Sequence, residues 1–162
     1  MVVIATLLAA VCFAAFHVPV PQRRGGRWAL VRLEGPVTRL LGVGYHLLLL
    51  PAVAALPAPA WATAAGFAWM LLDVVLDGAE LAGSTIDARP LRDGVHLLAC
   101  VWLVCAGWTA GPVPGVIGTA LALAFLARFG LDATRRPVPP RLLTVNALLN
   151  VAWMLAIAAV LG

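Results

Sequence analysis

A chain of 162 residues that is 63% hydrophobic and 11% charged, with mean hydropathy +1.00, has too little polar surface to coat a water-soluble particle. Its net charge of +4 rests on arginine alone, eleven basic residues with no lysine. In so apolar a chain this excess reads as a membrane-orientation signal, and a nucleic-acid role is not supported.

Apolar runs separated by Pro, Gly and Arg clusters predict six transmembrane helices in one all-α, polytopic bundle, with no room for a separate soluble domain. They fall at about 2–20, 38–57, 61–83, 94–111, 113–130 and 142–161. The first lacks the positive leading region of a cleaved signal peptide and is followed by arginines, so a retained, reverse-oriented anchor is expected. The connection after it holds Arg23, Arg24 and Arg27, with Arg32 and Arg39 close by. The second connection, PAPA, is uncharged, as is the fourth, GPVPG. The third carries Arg89 and Arg92, and the fifth is bracketed by Arg128, Arg135, Arg136 and Arg141. Six spans put every arginine on one face, which the positive-inside rule makes cytoplasmic, with both termini outside; five spans would mix the faces. A multi-pass protein of the cell membrane follows, its arginine loops against anionic lipid head groups. Trp61 and Trp108 suit the outer interface and Trp28 the inner one.

The third span carries Asp73, Asp77 and Glu80 within WMLLDVVLDGAE. A helical pitch places Asp73 near the bilayer centre, with Asp77 about 8 Å and Glu80 about 12 Å toward the arginine side. At about 100° per residue the three share one face. Each intramembrane acid costs about 2.5–3.5 kcal/mol to insert, so the ladder is expected to face the interior and find partners there. Partners lie at matching depths: His46 on the second span, Asn150 and Asn146 on the sixth, His96 on the fourth and His17 on the first. Arg39 sits two turns below His46 and reaches toward Asp77 or Glu80. Met70 and Trp153 point to the same faces, where they either line an apolar pocket or simply pack. Cys12, Cys100 and Cys105 lack metal-ligand spacing and read as free buried thiols. Small residues at Gly78/Ala82, Ala79/Gly83 and Gly118/Ala122 suit close helix packing.

Asp73-x3-Asp77-Gly78 departs from the metal-binding signature of CDP-alcohol phosphotransferases, both in its first spacing and at Glu80–Leu81. No metal or cofactor is therefore expected. LLDVVLDGAE aligns with TVNALLNVAW, pairing Asp73 and Asp77 with Asn146 and Asn150, a faint internal repeat. The leading expectation is an enzyme in which Asp73 protonates a lipophilic, isoprenoid-like substrate for cyclisation or double-bond isomerisation. Asp77 and Glu80 would relay protons, and His46 would assist. Asn146, Asn150, Trp153, Met70, His96 and Arg39 are the expected substrate-binding residues. The layout resembles that of transmembrane terpene cyclases and sterol isomerases by analogy, without a shared motif. A small proton-coupled transporter and a non-catalytic, lipid-binding subunit are the alternatives, and six short helices leave room for a homo-oligomer.

Overall fold

Helix α1 spans Val2–Ala15, strands β1 and β2 span His17–Pro21 and Trp28–Arg32, and α2 spans Pro36–Ala55. Then come α3 at Ala60–Leu81, α4 at Arg89–Ala110, α5 at Pro112–Ala133 and α6 at Pro140–Leu161. These elements are those of a computed structural model that describes residues 1–21, 28–33, 35–85 and 88–162. The expectations for Arg23, Arg24 and Arg27 lie outside the described residues, as do those for the side chains of Trp28, Arg32 and Arg89.

Proline sets most of the starts. It stands in the first turn of α2, α4, α5 and α6, where its fixed φ suits the helix and its missing N–H has no intrahelical partner to lose. Five helices, α2 to α6, are long and apolar enough to cross a membrane. The first is not. At 14 residues it rises about 21 Å, short of the roughly 30 Å hydrocarbon layer.

The helix expected over 2–20 is thus corrected, because it ends at Ala15. Pro19 and Pro21 push the residues before them toward extended geometry, and the chain turns into β1 at His17. The hairpin pairs His17 with Arg32 and Pro21 with Trp28. The Leu30 N–H donates to Thr144 Oγ on α6 at 3.0 Å. It therefore points away from its register partner Pro19, whose missing N–H costs no ladder bond.

Two other boundaries shift with consequences for the site. The fourth helix begins at Arg89, one turn earlier than its apolar run suggests, and α5 continues to Ala133. Arg92, Asp93 and Asp132 thereby become helical.

The helices close into a ring: each packs on its sequence neighbours, and α1 packs on α6. Short connections make successive helices antiparallel, so the hairpin and the described arginines Arg39, Arg92, Arg128, Arg135, Arg136 and Arg141 gather at one end. The core lies toward the opposite end, around Trp102, Leu103, Met154 and Ile157, all nearly or fully buried. Trp102 and Trp153 meet edge to face there, with ring centres 4.9 Å apart, a preferred aromatic geometry.

Candidate functional site

An apolar helix that carries acids must turn them inward, and α3 does. Asp73 and Asp77 are fully buried, while Glu80 is partly exposed near the arginine end. All three line one cavity of about 710 Å³. Its wall includes Phe13, Phe16, Tyr45, Trp69 and Phe125 as well as His46, His96, Asn146 and Asn150. His17 and Leu30 of the hairpin also line it, which puts the hairpin at its arginine-side margin.

Asp73 is the hub. Its Oδ2 accepts a hydrogen bond from Trp69 Nε1 at 2.9 Å, one helical turn back on the same face. His46 Nε2 lies 3.2 Å from the same oxygen and His96 Nε2 3.5 Å. The other carboxylate oxygen, Oδ1, makes no hydrogen bond among the described residues, and Arg92 Nη1 stands 3.7 Å from it.

The tautomer of His46 follows from its other nitrogen. Nδ1 lies 2.8 Å from the Gly42 carbonyl, which can only accept, so Nδ1 carries a hydrogen. The short Nε2–Oδ2 approach then requires a further proton between imidazole and carboxyl, since two bare lone pairs would repel. The geometry suits one proton held between His46 Nε2 and Asp73 Oδ2.

Asp77 and Glu80 engage guanidinium groups. Arg92 Nη2 is 2.8 Å from Asp77 Oδ1 and 3.6 Å from Glu80 Oε1. Arg92 is itself buried, so one cation on α4 gathers all three acids of α3. Arg39 Nε donates to Glu80 Oε2 at 3.0 Å, and its Nη1 lies 3.4 Å from the Glu80 carbonyl. It thereby adds a second donor to a carbonyl in the last turn of α3 that already accepts from the Gly83 N–H.

On the opposite wall, Asn150 Nδ2 donates to Asn146 Oδ1 at 3.0 Å. The Tyr45 hydroxyl approaches Asn150 Oδ1 at 3.4 Å. Met70 and Trp153 are buried in the core and do not line the cavity. They share the angular position of the acids but lie nearer the far end, where the bundle has already closed around Trp102. Among the described residues, no group of three or more His, Cys, Asp or Glu side chains is arranged to hold a metal ion.

No protein-family model matches this sequence, and neither a curated protein nor a solved structure is similar enough to it to indicate kinship. The functional reading rests on the cavity alone.

Sequence reasoning misses four lining residues of consequence. Hydropathy assigns Arg92 to a connecting loop, although Pro90 marks a helix start that carries Arg92 and His96 inward one turn apart. Tyr45 carries its hydroxyl inside an apolar run and gives no distinct signal. The pair Arg128 and Asp132 likewise looks like a loop flank, yet both line the cavity on the last turns of α5.

Proposed function

We propose that this protein is a membrane-embedded enzyme performing acid–base chemistry on a lipophilic, isoprenoid-like substrate. It crosses the cell membrane six times with both termini outside, α1 completing its crossing with the adjoining chain, and the cavity lies in the cytoplasmic half. The observation that carries this reading is the 3.2 Å approach of His46 Nε2 to Asp73 Oδ2 on the wall of a cavity that combines aromatic faces with polar groups.

The hydrocarbon lies against Phe13, Phe16, Tyr45 and Phe125. The shared proton passes to an alkene, epoxide or carbonyl of the substrate, and positive charge develops beside the carboxylate and the aromatic faces, which both stabilise it. The dyad, short of one proton, takes one back from a neighbouring carbon. An isomerised or cyclised alkene leaves, and the enzyme is unchanged. Asp73 Oδ1 is the acceptor for a polar substituent, and Asn146 and Asn150 orient it. Asp77 and Glu80 hold Arg92, and Arg39 steadies Glu80; these groups shape the wall without touching the reacting carbon.

Transport is disfavoured because the far half of the bundle offers no polar route. A binding protein without turnover would use the same cavity, and deuterium separates the two. Purified protein is incubated in D2O with the isoprenoid fraction extracted from its own membranes. Turnover places non-exchangeable deuterium on carbon, read by mass spectrometry, and Asp73→Asn abolishes it. A co-purifying lipid that gains no carbon-bound deuterium with the wild-type protein would establish binding and end the enzymatic reading.

A further inference from the structure

For solvent deuterium to reach carbon, the proton of the dyad must exchange with solvent, and Asp73 is itself fully shielded from it. Asp77 and Glu80 are gathered to Asp73 by the Arg92 guanidinium, which does not release a proton. A second line of titratable groups leaves Asp73 in another direction.

His96 Nε2 is 3.5 Å from Asp73 Oδ2, and His96 Nδ1 is 4.0 Å from Asp93 Oδ1, a gap that a small rotation of either side chain closes. The His96 ring lies flat on Phe125, with centres 4.6 Å apart and planes 13° from parallel. The stack fixes the ring plane and so aims its two nitrogens at the two carboxyl groups. Asp93 is buried, and its carboxyl shares the Arg128 guanidinium with that of Asp132.

Arg128 lies between them, with Nη2 3.3 Å from Asp93 Oδ1 and Nε 3.8 Å from Asp132 Oδ2. One guanidinium against two carboxylates leaves a single negative charge, which favours a proton on one of the two. The Asp132 side chain is 42% exposed. The line therefore starts at the arginine-side surface and ends at the buried hub.

We propose that Asp132, Asp93 and His96 form the proton route between the arginine-side surface and the His46–Asp73 dyad. One proton enters at Asp132 and passes to Asp93. Asp93 delivers a proton to His96 Nδ1 as another leaves His96 Nε2 for Asp73 Oδ2. The charge of the ring is unchanged and its tautomer switches; a half-turn about Cβ–Cγ, which returns the ring to its stack on Phe125, carries the newly protonated nitrogen to the Asp73 side. Every group regains its starting charge once the dyad has accepted the proton. The charged groups facing this line are Arg128 from α5 and Arg92 from α4 itself, with His46 facing the hub from α2. The proposal rests on the dyad described above but requires no turnover.

The chain has three histidines, so their ring nitrogens are assignable by nuclear magnetic resonance in lipid nanodiscs. With 15N-labelled imidazoles, transfer to D2O reads the replacement of the His46 Nε2 proton. Asp93→Asn is expected to slow it at least about tenfold, and Asp132→Asn, at the exposed end, by about threefold. Glu80→Gln is expected to leave the rate unchanged. A wild-type rate in Asp93→Asn, or equal slowing by Glu80→Gln, overturns the route. If Asp93→Asn does not fold, the surface variant Asp132→Asn decides alone, and a wild-type rate there overturns it equally. A protein that lacks catalytic activity but shows this pattern would retain the route and lose the enzyme.

Discussion

The two ends of this bundle are built from the same six helices by opposite means. At the arginine end the helices stand apart around a cavity, and contact between them runs through charge: Arg92 joins α4 to α3, Arg39 joins α2 to α3, and Arg128 joins α5 to Asp93 of α4. At the far end they touch backbone to backbone. A Cβ added at Gly118 of α5 would lie 2.4 Å from the Leu103 carbonyl oxygen of α4 and 2.9 Å from Trp153 Nε1. In lipid, hydrocarbon gains nothing by leaving the solvent, so close packing and satisfied polar groups are what hold helices together. One end uses packing and the other uses ion pairing, which leaves space for a ligand.

If charge holds the open end together, the largest effect falls at Arg92. Replacing it by Met keeps the volume and removes the cation that three carboxyls face. Removing one partner of a buried ion pair typically costs about 3–5 kcal/mol. Arg92→Met is therefore expected to lower the thermal unfolding temperature in detergent by more than the same replacement at Arg39 or Arg128, whose side chains are partly exposed. An unfolding temperature equal to that of the wild-type protein would show that the acids do not depend on this guanidinium.

Much of the site is readable in the sequence because membrane helices punish misplaced polarity. An acid, histidine or asparagine in an apolar span must face the interior, and helical rise then gives its depth, so Asp73, His46, His96, Asn146 and Asn150 converge as their spacing requires. The Arg39–Glu80 contact follows from the same arithmetic. Boundaries are less readable. Hydropathy starts α4 where the charges stop, near residue 94, whereas Pro90 starts it at Arg89 and brings Arg92 and Asp93 into the bundle. The same bias hides the last turn of α5 with Asp132. Residues 17–20 are apolar enough to extend a span, yet their Val-Pro alternation makes a strand. Angular position alone puts Met70 and Trp153 on the cavity wall, because a helical wheel carries no information on where the bundle closes.

Glycine provides the finer test, since two small-residue sites expected from sequence to pack alike do not. Gly118→Ala drives a methyl group into the α4 backbone, which cannot yield as a flexible side chain would; overpacking of this kind costs about 1–3 kcal/mol. It is expected to lower thermal stability and to disturb the fluorescence of Trp153, whose indole nitrogen is the next atom struck. At Gly78, on the arginine-side half of α3, an added Cβ meets no atom within 4 Å. There Gly78→Ala removes only the backbone freedom of glycine, a gain of about 0.5–1 kcal/mol within a helix. Opposite signs at the two positions, measured in the same detergent, are the expected result. A loss at Gly78 as large as at Gly118 would mean that α3 is packed as tightly at its arginine end as α5 is at the far end. The open half of the comparison would then have to be abandoned.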